Sequence, residues 1–128
     1  MMVAVDVHCR TTRIWLGDDG IIRMESHPGA EEALKDAMEN IAAGARLMDG
    51  KKGVALVDIR NIKSITKNAR EYYSGPETAE VTKACAILVG SPLTKVIGNF
   101  YMRINKTIFP LRLFSSESSA ISWLKGFI

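Results

Sequence analysis

The stretch 53–70, GVALVDIRNIKSITKNAR, constrains the fold of this chain more than any other. Val54, Ala55, Leu56 and Val57 form a short apolar run containing β-branched residues, the pattern of a strand covered on both faces, and Asp58 ends it with a charge. Ile59, Ile62 and Ile65 then recur through a polar loop and pin it to a core. Ser64 or Thr66 offers an N-cap for a helix through Lys67, Asn68, Ala69 and Arg70. A second uninterrupted apolar run, 84–89, reads as a strand lying beside the first. Two such strands joined through helices pair in parallel with a right-handed crossover, so the class is α/β.

The remaining elements follow by period. Residues 1–10 alternate Val3, Val5 and Val7 with small or polar residues and fit an edge strand or a mobile tail equally. Residues 11–16 and 21–26 read as two strands of a hairpin around Gly17-Asp18-Asp19-Gly20, since Asp-Gly accepts the positive φ of a tight turn. From Ala30 the spacing becomes helical: Ala30, Ala33, Leu34, Ala37, Met38, Ile41, Ala45 and Met48 share one face. Glu31, Glu32, Lys35, Asp36 and Glu39 lie opposite and read as a solvated face, with Glu31 and Glu32 in the first turn, where the helix dipole favours negative charge. Asp49-Gly50 stops this helix. Two short helices follow over about 66–73 and 77–82. After the second apolar strand, Ser91-Pro92 opens a helix carrying Leu93, Val96, Ile97, Phe100, Tyr101 and Ile104. Residues 109–114 alternate as a half-exposed strand whose Pro110 fits a sheet edge or a strand start, and Ser115 or Ser116 caps a last helix. The predicted order is β-β-α-β-α-α-β-α-β-α.

Composition narrows function mainly by exclusion. A chain of 128 residues has the size of one domain. Its net charge of +3, from 17 basic and 14 acidic residues, is spread along the sequence, whereas nucleic-acid binders concentrate theirs. No apolar run approaches the ~18 residues of a membrane span, and Asp6 and His8 fall where a signal peptide needs its apolar core. The expectation is a cytoplasmic protein with no integral membrane segment. Cys9, in a loose tail, and Cys85, in a buried strand, read as free thiols, with too few clustered ligands for a metal. Neither His8 nor His27 has a nucleophile or carboxylate at a telling spacing, so no enzyme and no cofactor are expected.

The element order, together with the phrases VDIRNIKSITKNAR, ACAILVGSP, IGNFYMRIN and PLRLFSSESSAISWL, resembles the STAS-like family, which includes the bacterial anti-sigma-factor antagonists. The nearest resemblance is to its branch of small uncharacterised bacterial proteins, and it runs from about Arg13 to Leu124. It implies a mixed sheet of four or five strands with helices mainly on one face, a single domain over 11–128 preceded by a tail or edge strand over 1–10, and a binding or regulatory role without catalysis. One departure matters. In the phosphorylated antagonists the strand aspartate is followed by an Asp-Ser-Ser-Gly turn whose serine accepts phosphate. Here Asp58 matches the strand aspartate and Ile62 and Ile65 the apolar pins, but the turn reads Thr66-Lys67-Asn68-Ala69. Lys67 or Asn68 stands at the acceptor position, so the usual serine switch is not expected, and Ser64 and Thr66 read as helix caps.

Two surfaces carry the functional expectations. Ligands of parallel α/β sheets gather outside the carboxyl ends of the strands, where Asp58 sits, although an aspartate there also serves as a turn-former. Arg60, Lys63, Lys67 and Arg70 follow within one loop and one helical turn, and with Ser64, Thr66, Asn68 and the amides of the helix start they form a candidate site for an anion or an acidic partner. Basic residues on a loop are also commonly just solvated. The helix opened by Pro92 is broadly apolar, and Val96, Phe100, Tyr101 and Met102 are the candidate interface of a homodimer. The leading expectation is therefore a module that binds a protein partner or itself. The alternative is a small-molecule binder for an apolar or acidic ligand, because the same general fold resembles CRAL-TRIO lipid-binding domains. A deep apolar cavity beside the helix over 93–104 would mark the alternative; a filled core under a flat apolar surface would mark the first.

Overall fold

The computed structural model describes residues 6–104 and 109–128, without the side chains of 100–104. The elements are β1 (Asp6–His8), β2 (Thr12–Leu16), β3 (Ile21–Ser26), β4 (Glu31–Glu32), α1 (Leu34–Met48), β5 (Gly53–Asp58), β6 (Ser64–Ile65), α2 (Lys67–Tyr73), α3 (Pro76–Val81), β7 (Thr82–Leu88), α4 (Pro92–Ile104), β8 (Leu111–Phe114) and α5 (Glu117–Lys125). Setting aside β1, β4 and β6, this is the predicted order. The main sheet runs β1-β2-β3-β5-β7-β8, with the first two pairings antiparallel and the rest parallel. It has six strands where four or five were expected, because β1 pairs with β2 as an edge strand; residues 1–5 of the predicted tail lie outside the described residues.

The apolar strands β5 and β7 are central because both faces of the sheet are covered there. On one face Val54, Leu56, Ala84, Ala86 and Leu88 meet Ala120 and Leu124 of α5. On the other, Ala55, Val57, Cys85 and Ile87 pack with Ile59, Ile62, Ile65, Ala37, Ala69 and Ile97, contributed by the β5–α2 loop and by α1, α2 and α4. The helices thus lie mainly on one face, with α5 alone on the other. Trp123 anchors α5 between Phe114 and Phe127, at ring-centroid distances of 5.7 and 4.9 Å.

Local chemistry sets the boundaries. Ser116 caps α5, accepting from the amide of Ser119, and Ser91 caps α4, accepting from that of Thr94. Thr66, not Ser64, caps α2; Ser64 lies in β6. Helix α1 starts at Leu34, four residues later than the pattern suggested, because the chain at Glu31–Glu32 pairs in parallel with β6 to form a separate two-stranded sheet. Its N-terminus is held by Asp36, whose carboxylate accepts the Ala33 amide and two hydrogen bonds from Arg10. Arg10 keeps the Asp36 carboxyl below its ordinary value. The face expected to be solvated therefore divides: Glu31, Lys35 and Glu39 are exposed, whereas Glu32 and Asp36 are buried. Cys9, expected in a loose tail, is buried against Ile14, Ile22, Met24 and Ala43, and burial raises its thiol pKa; that of Cys85 is pushed up to about 12.

The β2–β3 hairpin is clamped by Asp19, which accepts two hydrogen bonds of 2.8 Å from the Arg23 guanidinium. Gly17 makes room for this pair, since a Cβ there would collide with Nη1 of Arg23. The Arg23 hydrogen bonds hold the Asp19 carboxyl down at about 2. A depressed carboxyl stabilises the fold above its unfolded value of about 3.9 and loses that contribution as pH falls through the folded value. Asp19→Asn is therefore expected to cost about 1–2 kcal/mol near neutral pH, with the two proteins converging as pH falls to about 2, measured by urea unfolding across a pH series.

Among the described residues no helix is long and apolar enough to cross a membrane.

Candidate functional site

The β5–α2 loop is built much as its sequence implies, but its charged residues are occupied locally. Asp58 accepts the Arg60 amide at 3.0 Å and the Arg60 side chain at 3.0 and 2.7 Å, so these two form a self-contained turn, with Glu117 of α5 4.0 Å from the same guanidinium. Arg70 donates to the carbonyl of Ile65 at 2.6 Å. Thr66 accepts the Ala69 amide and donates to Asn68. Lys63, Ser64, Lys67 and Asn68 are exposed. Hydrogen bonds tie the loop to the segment before α1: Lys63 and Ser64 donate their amides to the carbonyl of Ala30, and Thr66 donates its amide to that of Glu32.

Beneath this loop lies a feature that the sequence reading did not assemble. A cavity of about 90 Å³ sits between the sheet and helices α1, α2 and α3. Its described walls are largely apolar, with Met24, Ile41, Val57, Ile87, Phe109 and Leu111 among them, and the loop's own pins Ile59 and Ile65 also line it. Among the described residues no α4 side chain lines it; the side chains of 100–104, on the helix beside which a cavity was expected, lie outside the described residues. At this scale a water molecule needs about 10–15 Å³, so the space admits several waters or one small organic molecule.

One end of the cavity is polar. Glu32, only 4% exposed, is carried there by the β4–β6 pairing. Its Oε2 accepts from the hydroxyls of Thr11 and Thr12 at 3.0 Å each, and its Oε1 accepts from Tyr73 at 2.7 Å. Asn40, 1% exposed, turns its amide nitrogen toward the same oxygens, donating to Thr12 at 3.0 Å and to Tyr73 at 2.9 Å. Glu32, Asn40, Thr12 and Tyr73 all line the cavity. Burying a carboxylate is costly unless donors surround it, and here three hydroxyls converge on it. The Oδ1 of Asn40 is different: it is buried and has no hydrogen-bond partner among the described residues.

Of these residues the sequence points toward the loop surface only with Tyr73, which with Tyr72 directly follows Arg70 and Glu71 and could line the same surface as the basic residues. A signal for Asn40 was present, since it falls on the buried stripe of α1 with Ala37, Ala43 and Gly44, where an amide is out of place. Glu32 looked like an ordinary acidic first-turn residue. On α4, Leu93 and Val96 are 49% and 66% exposed and Ile97 is buried, while the side chains of Phe100, Tyr101 and Met102 lie outside the described residues. Among the described residues no cluster of three His, Cys, Asp or Glu side chains could hold a metal ion.

Known structures place this architecture. A crystal structure of an uncharacterized protein from the DUF3478 family with a SpoIIAA-like fold, from Shewanella loihica PV-4, is similar with a TM-score of 0.60. The two are 14% identical, over 95% of this chain and 92% of that one, and the likeness establishes a SpoIIAA-like, that is STAS-like, fold. A protein with unknown function from Arthrobacter sp. FB24 is 27% identical over 87% of this chain and 96% of that one, with a TM-score of 0.35. No curated protein matches the sequence. Residues 14–128 match one family throughout, and the chain belongs to it: the Domain of unknown function (DUF7793).

Proposed function

We propose that this protein is a non-catalytic STAS-like binding module whose ligand is a small, mainly apolar molecule held inside the fold. The observation that carries the reading is the cavity itself, lined by apolar side chains and closed at one end by convergent polar groups, the usual make-up of a small-molecule site. Among the described residues no nucleophile with an adjacent base lines it: the Cys85 thiol is held protonated by burial, and the Glu32 carboxylate is engaged by hydroxyls. The regulatory serine switch is also absent from this proposal, because Lys67 and Asn68 stand at the acceptor position and Thr66 is engaged as a helix cap.

The reading is tested by filling the space. Ala55, half-buried on β5, lines the cavity, and Ala55→Leu should occupy part of it. The wild type is expected to bind xenon with shifts of the Ile59, Ile65 and Ile87 methyl resonances, and Ala55→Leu to weaken that binding. Xenon that leaves those methyls unmoved in the wild type removes the proposal.

A second reading is favoured by one specific observation: Leu93 and Val96 expose apolar side chains on the outer face of α4. Such a patch suits association with a second copy of the chain or a protein partner. On this reading sedimentation equilibrium at micromolar concentration returns a dimer mass, and Val96→Glu returns a monomer. A monomeric wild type removes self-association.

A further inference from the structure

The polar end of the cavity has a fixed hydrogen-bonding sense, and this sense constrains what the cavity accepts. A carboxylate such as Glu32 can only accept, so Tyr73 commits its one hydroxyl proton to Oε1 and turns a lone pair toward Asn40. Thr12, donating to Oε2, does the same. Asn40 must therefore present its NH2 to this group, since reversing the amide would set Oδ1 against the Glu32 carboxylate, whose Oε2 lies 3.4 Å from the nitrogen position. The network thereby fixes Oδ1 as the unsatisfied end. A buried acceptor without a donor costs about 1–3 kcal/mol, and a water in the cavity would relieve that by donating. An occupant that displaces such a water must donate as well, or it strands the acceptor again.

We propose that the cavity selects a small neutral alcohol, an apolar body of a few carbon atoms bearing one hydroxyl that donates to Oδ1 of Asn40. This rests on the small-molecule reading above and sharpens it. The hydroxyl class fits better than a carboxylic acid, because an ionised carboxylate brings further acceptors to an end already occupied by the Glu32 carboxylate and the Asn40 carbonyl oxygen. Size agrees. A cavity of 150 Å³ lined by apolar side chains takes up benzene, and this one, at about 90 Å³, suits a smaller body.

Three probes of equal or nearly equal size separate the possibilities: 1-butanol, its isomer methyl propyl ether, which accepts but cannot donate, and butyrate. Each is titrated into the full-length protein, with xenon as a head-group-free control, and binding is read from the cavity methyls and the Asn40 side-chain amide by NMR. The expected result is that 1-butanol binds about tenfold more tightly than the ether, the equivalent of one hydrogen bond, and that butyrate does not bind. Asn40→Leu should abolish the advantage of the alcohol over the ether; should that variant not fold, the wild-type comparison decides alone. Ether and alcohol binding equally, butyrate binding best, or xenon binding alone would each overturn the donor-selecting end while leaving a ligand cavity in place. If nothing, xenon included, moves the cavity methyls, the small-molecule reading itself falls.

Discussion

Leu88→Ala is expected to destabilise the protein by about 2–5 kcal/mol, toward the upper end of that range. Leu88 is fully buried at the end of β7, paired with Asp58 on one side and Phe114 on the other. Its neighbours on the α5 face include Ala84, Ala86 and Ala120, short side chains that let the helix approach the sheet closely. Alanines cannot extend to fill a void, so the space left by the missing isobutyl group should remain open, and the cost of truncation grows with residual cavity volume. Leu56→Ala, on the same face of β5, should behave alike. Lys35→Ala, at an exposed position of α1, should stay within about 0.5 kcal/mol. Urea midpoints of the three variants check this, and equal shifts for Leu88 and Lys35 would contradict the placement of β7 at the centre of the sheet.

The sequence made that centre legible because two of its signals are strong and local. Continuous apolar runs at 54–57 and 84–89 read in an α/β chain as strands covered on both faces, and α2, α4 and α5 announce their starts through Thr66, Ser91-Pro92 and Ser116. What escaped is of another kind. Strands β4 and β6 are two residues long, too short to show any period, and they exist because the Ala30 and Glu32 carbonyls find donors in the loop over 63–66. Once those residues are drawn into a strand, α1 can begin only at Leu34, and Glu32 is carried inward from what looked like a solvated helix face. A pattern of helical spacing cannot report this, since the decision is made by a partner segment more than thirty residues away. The cavity was beyond sequence reasoning for a simpler reason: it is space left unfilled among residues that would, by type alone, fill it. The resemblance to the STAS-like family gave the layer order. It did not point to the interior, because the motif that departs from that family lies on the surface loop.

The buried network should prove the most sensitive polar feature of the molecule, and its response should be distinctly non-additive. Tyr73→Phe removes the 2.7 Å hydrogen bond to Oε1 of Glu32 and the acceptor for one Asn40 N–H, and is expected to cost about 1–3 kcal/mol. Glu32→Ala removes the common acceptor of Thr11, Thr12 and Tyr73 and enlarges the cavity, and is expected to cost about 3 kcal/mol or more. In the double variant the Tyr73 hydroxyl that Glu32→Ala would strand is itself gone, so the combined loss should fall short of the sum by about 1 kcal/mol or more. Glu32→Gln keeps the volume but sets an NH2 group where one oxygen had been. The hydroxyls facing that group must then turn lone pairs to it, which reverses the donation that orients Asn40. This substitution should therefore cost less stability than Glu32→Ala and yet disturb the Asn40 side-chain amide resonances more than any surface change. A double-mutant cycle by urea unfolding, read beside those amide resonances, distinguishes this from independent contacts: strict additivity, with an unmoved Asn40 amide in Glu32→Gln, would mean that the carboxylate does not set the direction of the network.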